Sequence, residues 1–575
     1  MTSALNPATD ATAIDHDAQA RRIAVWGAWY HARNVVMQLR SWWVSLFLLG
    51  TLEPLLTVLA LGVGMGLVVD AASPGALGVP FLQFVGPALL LSVAVRGAQM
   101  ENTLGVFSGF KWHQLYHAAA TTPTTPAQLA EGHWLGATVR YVVNCATVAA
   151  VLVVFGAITP AGVVVLMPIA VLTAWSFGNP ILAWTASLNE DNGQFSVFAR
   201  FVVLPLTLFS GTYFPLDVLP TWLHPLGWIS PLWHGVNLAR IWTLGQAAPA
   251  WLPAVHIAYL TALSVAGLLV ARRFFHLRLT GQWRQREPRR KRGRKTVATA
   301  TAAPTPGSLP SGQELLTRPG SSAMFSGNFP VVAARGLKAN WGSSTLLMCS
   351  GVVEPILYLL AMGLGLGSLV GNLGGQGSYA AWIAPALLAS SAMMGAVADS
   401  TWNVFGKLKF TKLYDAMLAT SLGPMDVALG EIIVALVRGG VYAVAFVGVM
   451  AVLGLVSSAW VLLAIPGCLL IAFGFAALGM AATSFTRTFQ QVDWVFVALM
   501  PMFMFSGTFY PVDVYPAPIA AAVKCLPLWH GIQMLRDLNA GAVSWATAGH
   551  ALYFVVLAVL GVWLASARLK ALFLR

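Results

Sequence analysis

The sequence predicts an all-α polytopic membrane protein with twelve transmembrane helices, arranged as two parallel six-helix repeats with re-entrant outer helices. Three observations carry this prediction. Hydrophobic residues make up 57% of the 575 positions and charged residues only 9%, against roughly 25% charged in a soluble protein. Twelve nearly charge-free runs approach or exceed the about 20 residues that cross a bilayer as a helix. The punctuating residues of the first half recur, in order, in the second. Soluble enzymes, nucleic-acid binders and secreted scaffolds are excluded by this composition.

The first forty residues are polar or mixed and lack the pattern of a cleavable signal peptide. Six apolar runs follow, near 43–69, 80–100, 133–156, 161–187, 196–214 and 251–271. Residues 272–324 then form a connector, basic at first and later rich in Ala, Thr, Pro, Gly and Ser, a composition that buries no core. Six further runs lie near 344–370, 379–399, 431–456, 459–485, 491–509 and 545–567. The chain is thus divided at 1–41, 42–271, 272–324, 325–343 and 344–575. Cys145, Cys349, Cys468 and Cys525 show no metal spacing and read as small apolar residues.

The net charge of +13 invites a nucleic-acid partner, but its placement argues for topology instead. Eleven of the 33 Lys and Arg residues fall between Arg272 and Lys295, with Glu287 the one acid among them. Lys and Arg accumulate on the cytoplasmic side of a membrane. The expected outward loops 70–79, 157–160, 371–378 and 457–458 contain neither. Both termini and the connector are therefore expected in the cytoplasm.

The halves match segment by segment. Glu53-Pro54 with Gly62, Gly64 and Gly66 recurs as Glu354-Pro355 with Gly363, Gly365 and Gly367, at an offset of 301. Lys111, Leu115, Tyr116, Pro126, Gly132 and Arg140 recur as Lys409, Leu413, Tyr414, Pro424, Gly430 and Arg438, offset by 298. Phe209-Ser-Gly-Thr212, Asp217, Pro231-Leu-Trp-His-Gly235 and Arg240 recur as Phe505-Ser-Gly-Thr508, Asp513, Pro527-Leu-Trp-His-Gly531 and Arg536, offset by 296. An even number of spans per half makes the repeats parallel, with a transport path expected where they meet.

No phosphate-binding G-x-x-x-x-G-K-[ST] loop, metal-ligand cluster or G-x-S-x-G elbow occurs. If ATP drives transport, a separate chain must hydrolyse it. The loop after the second span holds a short, proline-stopped helix in each half. Two readings fit it, a knob for a cytoplasmic partner or an ordinary interfacial helix. The segment Phe214–Pro231 is too apolar for a solvated loop and too broken by proline to span. Irregular backbone at membrane depth needs protein or a water-filled cavity to satisfy it, which suggests short helices re-entering from the outer face.

The F-S-G-T-[YF]-[FY]-P-[LV]-D-V…P-L-W-H-G element, following a proline-terminated loop such as Leu413-Tyr-Asp-Ala-Met-Leu-Ala-Thr-Ser-Leu-Gly-Pro424, resembles the permeases of ABC-2 type exporters. The nearest branch is that of nodulation-type lipo-oligosaccharide and daunorubicin-resistance permeases. The resemblance covers about 25–270 and 325–570. The chain departs from the family in fusing two units that usually dimerise. The resemblance implies that 104–126 and 404–424 are coupling helices seated on two copies of a cytoplasmic ABC ATP-binding subunit, with Lys111, Leu115, Tyr116, Pro126, Lys409, Leu413, Tyr414 and Pro424 as the contact residues. ATP and Mg would come through that partner, and this chain would hold no cofactor. It further implies interfacial connecting helices at about 23–41 and 325–341.

Ionisable groups at membrane depth are expected to face the protein interior or a cavity. Glu53 and Glu354 sit at proline kinks, where they either line a path or satisfy a neighbouring donor. Glu101 with Arg140, and Asp399 with Arg438, are expected to pair, as a gate or as plain structural pairs. Asp217, His234, Arg240, Asp513, His530 and Arg536 form an outer gate or satisfy re-entrant backbone. The halves differ at Arg96 and Arg200, whose counterparts are Met394 and Phe496; Arg96, if on the path, would meet an anionic headgroup. The expected function is that of a permease moving an amphipathic or lipidic cargo, such as a drug, glycolipid or lipo-oligosaccharide, out through a bacterial plasma membrane. An ion-coupled secondary transporter is the first alternative. A membrane enzyme acting on lipid-linked sugar is the second.

Overall fold

The computed structural model describes residues 16–41, 52–190, 193–283, 324–341, 345–371 and 378–573, whose regular elements are helices. Most of the predicted connector and the start of the first span, 42–51, lie outside the described residues. Among the described residues, ten helices are long and apolar enough to cross a membrane. In the first half they are Leu52–Ala72, Phe81–Lys111, Pro126–Val154, Pro160–Ser187 and Leu252–Leu279. In the second they are Gly351–Val370, Tyr379–Lys409, Pro424–Val452, Ala459–Phe485 and Trp545–Leu572.

The two remaining expected spans are shorter. The apolar helices Gln194–Leu208 and Gln491–Phe505 stop where the Phe-Ser-Gly-Thr element begins. Gly211 and Gly507 adopt φ of +75° and +79° there, a left-handed conformation that suits glycine and ends the helix. The expected runs 196–214 and 491–509 thus include a turn in place of their last helical residues.

Other boundaries shift for physical reasons. The second spans continue past their expected ends, 100 and 399, to Lys111 and Lys409, because a π-helical turn at Glu101–Gly105 or Asp399–Asn403 carries the helix past its acid. The third spans begin at Pro126 and Pro424, a residue whose fixed φ suits the first helical position. The sixth span of the first half runs to Leu279, so the expected connector yields its first basic residues to that helix.

The chain clusters into two compact units. One comprises Met1–Leu52, Gly86–Asp191 and Ser230–Pro288; the other comprises Glu53–Val85, Asn192–Ile229 and Arg289–Arg575. The second unit therefore joins pieces of both sequence halves. Within it, the first span of each half contains a π-helical turn, Val58–Gly64 or Ala361–Leu366, at its Gly-x-Gly-x-Gly pattern. The Phe214 ring lies against Gly365, and the Tyr510 ring against Gly64, so close that a Cβ on either glycine would clash. The glycines permit this mutual seating of one half on the other.

Candidate functional site: two elbows and the ion pairs behind them

In each half the second span ends in an elbow. At its corner, Gln114 and Lys412 take left-handed conformations with φ of 50° and 48°, uncommon for residues with a Cβ. The chain then enters the six-residue helices Leu115–Ala120 and Leu413–Leu418. Their expected contact residues divide by exposure. Lys111, Leu115 and Lys409 are exposed and Leu413 is half-buried, whereas Tyr116 and Tyr414 are buried. The tyrosines, expected among the coupling residues, face inward and anchor the elbows. Pro126 and Pro424 start the next helices and set where the elbow ends. Lys111 Nζ lies 3.9 Å from Glu190 Oε1, with both side chains well exposed.

The anchors are built differently. Tyr116 Oη shares a 3.0 Å hydrogen bond with His133 Nδ1, and its ring packs on Phe110 and Phe275 at centroid distances of 4.5 and 5.0 Å. Arg278 stacks over Phe110 at 4.0 Å and donates to the Ala186 carbonyl at 3.1 Å. Gly109 makes room, since a Cβ there would lie 2.6 Å from the Tyr116 ring. At the matching positions the second half has Lys407 for Gly109 and Glu431 for His133. Lys407 Nζ donates to Glu431 Oε2 at 2.6 Å. Burial, with the Glu431 carboxylate beside it, holds the Tyr414 phenol well above its ordinary pKa. Burial, with Glu101 nearby, does the same for Tyr116.

Helices His16–Ser41 and Phe329–Trp341 pack along the third spans of their own halves. Residues that sequence reasoning missed bind them there. Thr125 and Gln128 form a reciprocal capping box, and Gln128 Nε2 also donates to the carbonyls of Ile23 and Ala24 at 3.1 and 2.7 Å. At the position of Gln128, Asp426 Oδ2 accepts from the backbone N–H of Gly423 at 2.8 Å and of Ser326 at 2.9 Å. Gly132 and Gly430 bring the helices close: a Cβ would lie 2.6 Å from the Ala28 carbonyl oxygen in one half and 2.5 Å from Val332 in the other. Burial lowers the His31 imidazole to about 4, so it stays neutral at physiological pH. The spacing T-x-x-Q was a readable signal for the first cap; its chemically different partner, Asp426, was not.

Behind the elbows the structure pairs Glu101 with Arg140 and Asp399 with Arg438. Each acid opens its π-helical turn. Glu354 Oε2 accepts from Arg200 Nε at 3.2 Å, so an acid at one proline kink is tied to the other half's short fifth helix. Thr57 Oγ1 donates to the Glu53 carbonyl at 2.9 Å. Arg96 is exposed on its span.

The residues expected at an outer gate form several arrangements. Asp217 and Asp513 are exposed on three-residue 3-10 turns. His234 Nδ1 meets His256 Nδ1 at 2.7 Å, and His530 Nδ1 meets His550 Nδ1 at 2.7 Å, so one ring of each pair donates and the other accepts. Tyr259 and Tyr553 stack on the first ring of each pair. Arg240 is buried. Arg536 donates to the Gly507 carbonyl at 2.7 Å and lies 3.8 Å over the Trp382 ring, holding the Phe-Ser-Gly-Thr turn. Short helices follow these turns, His224–Ile229 and Pro231–Leu244 in one half, Ala517–Lys524 and Pro527–Ala540 in the other.

The elbows, the helices packed on the third spans and the Phe-Ser-Gly-Thr turns each occur twice in one chain. ABC-2 type transporters match residues 32–244 and again 328–538. The chain belongs to this family. It is 30% identical to nodulation protein J of Rhizobium leguminosarum bv. trifolii over 267 residues, 46% of this chain and all of that protein. It is 28% identical to nodulation protein J of Rhizobium meliloti strain 1021 over 192 residues, 33% of this chain and 73% of the relative. Against the inner membrane transport permease YadH of Escherichia coli K12, identity is 28% over 195 residues, 32% of this chain and 69% of the relative. The chain is thus a multi-pass ABC-2 membrane protein that carries its family's unit twice.

Proposed function

We propose that this chain is the membrane-spanning subunit of an ATP-driven exporter in a bacterial plasma membrane, with both termini cytoplasmic. Two copies of a separate ABC ATP-binding subunit supply ATP and Mg chemistry and seat on the two elbows. The observation that carries this reading is the elbow itself. A buried tyrosine fixes each short helix to the spans, while Leu115, His117 and Ala118 in one half, and Lys412, Asp415 and Ala416 in the other, are exposed. A rigidly rooted helix with an exposed face transmits a push from a partner to the helices behind it. The cargo is an amphipathic or lipidic molecule, such as a drug, glycolipid or lipo-oligosaccharide, suited to a path lined by apolar helices.

The test is affinity purification of the full chain from its native membrane in a mild maltoside detergent. An ATP-binding subunit bearing a phosphate-binding loop should co-purify and be lost from the double variant Leu115→Asp/Leu413→Asp. A chain that purifies alone and transports without ATP would reject the reading in favour of ion-coupled transport.

A further inference from the structure

Within the second unit, four charges gather on helices that belong to spans or to the short fifth helix. Arg200 comes from the first half; Glu354, Asp399 and Arg438 come from the second. Arg200 and Glu354 are joined at 3.2 Å, yet their side chains remain 34% and 45% exposed. Asp399 and Arg438 form the second pair, with the Arg438 side chain 29% exposed and that of Asp399 13%. One turn from Arg438, the Tyr442 ring lies directly on Gly351, three residues before Glu354, so the third span is packed against the first at this level.

Charges at membrane depth are costly against lipid and face a cavity or protein. Arg200 and Glu354, both partly exposed, meet that requirement if a cavity opens beside them. The symmetry counterparts of Arg200 and Tyr442 are Phe496 and Asn144. Phe496 packs near Trp402, with ring centroids 6.0 Å apart. An arginine stands at this position in the first half and an aromatic ring at the matching position in the second. The Asp399–Arg438 pair has its counterpart in Glu101–Arg140, so the one-sided element is Arg200, which a purely structural role in a duplicated protein would give no reason to confine to one half. A cargo with one charged end and one apolar body would.

We propose that Arg200 and Arg438, with Glu354 and Asp399 as their resting partners, form a one-sided site for the anionic headgroup of the transported amphiphile. A phosphate or carboxylate entering the site takes over the guanidinium hydrogen bonds that the two acids hold at rest; planar guanidinium groups suit such oxyanions. With the termini cytoplasmic, all four residues lie toward the inner leaflet, where export loads. This rests on the exporter reading for its direction, but the binding step itself needs no ATPase.

The test is amphiphile binding to the purified full chain in an uncharged maltoside detergent, read by quenching of tryptophan fluorescence. The probes are lysophosphatidic acid, a monoacylglycerol of the same chain length and inorganic phosphate. Lysophosphatidic acid should bind at least about tenfold more tightly than the monoacylglycerol, one charge-assisted contact being of that size. Arg200→Phe should remove that preference and leave monoacylglycerol binding unchanged. Glu354→Gln, which removes the acid that competes with the headgroup for Arg200, should strengthen lysophosphatidic acid binding and keeps the test open if Arg200→Phe does not fold. Equal affinity for the two amphiphiles, an unchanged preference in Arg200→Phe, weaker binding in Glu354→Gln, or displacement by millimolar inorganic phosphate would each overturn the proposal. A chain that shows the preference but co-purifies with no ATP-binding subunit would leave this site standing and reject the exporter reading.

Discussion

In the first elbow a phenol–imidazole hydrogen bond, Tyr116 to His133, fills the space beneath the short helix. In the second, Tyr414 sits beside the Lys407–Glu431 ion pair. The backbone is the same, including left-handed corners at Gln114 and Lys412. The interiors have exchanged a neutral aromatic cluster for a buried charge pair. The exchange is coupled through one position: Gly109 lets the Tyr116 ring lie on the second span, whereas its counterpart Lys407 fills that volume with a side chain that needs an acid. Two equivalent elbows can thus diverge inside while keeping the same backbone form.

The largest difference should appear on breaking the charge pair. Lys407→Met leaves Glu431, whose side chain is 5% exposed, without its counter-ion, and removing one partner of a buried pair typically costs about 3–5 kcal/mol. The apparent melting temperature in lipid nanodiscs should fall markedly; the double change Lys407→Met/Glu431→Leu should recover most of it. No recovery would mean that Glu431 serves something other than Lys407. A smaller loss is expected in the first elbow. Tyr116→Phe removes one buried hydrogen bond and leaves the His133 nitrogen without its partner, about 1–3 kcal/mol. Gly109→Ala should destabilise by a similar amount, about 1–3 kcal/mol from overpacking, while Lys407→Ala/Glu431→Leu at the matching place should not show that steric loss. The smallest effect is a gain: Gln114→Gly or Lys412→Gly relieves a left-handed residue, worth at most about 1–2 kcal/mol, and should raise the melting temperature slightly in both elbows alike. Unequal responses would show that the corners are not equivalent.

Much of this architecture was legible in the sequence because duplication prints each constraint twice. Pro126 and Pro424 marked the elbow ends, whereas the Gly-x-Gly-x-Gly triplets showed the duplication but not the contacts that Phe214 and Tyr510 make with Gly365 and Gly64. The acid–base pairing of Glu101 with Arg140 and of Asp399 with Arg438 followed from opposite charges at facing ends of antiparallel spans. Less was legible wherever the halves solve one problem with different chemistry. Gln128 and Asp426 both bind the entering helix, but one as an amide donor and the other as a carboxylate acceptor. The inward turn of Tyr116 and Tyr414 was hidden because a six-residue helix is too short for apolar periodicity to define a face. The π-helical turns that extend the second spans also leave no mark on hydropathy.

The most direct test of the central claim is ATP-dependent transport by the chain reconstituted into proteoliposomes with its co-purified ATP-binding subunit. Cargo movement should require ATP and fall to background in the Leu115→Asp/Leu413→Asp variant, although that variant keeps its fold because both side chains lie outside the buried anchors. Transport that continues without ATP, or at an undiminished rate in that variant, would contradict the account.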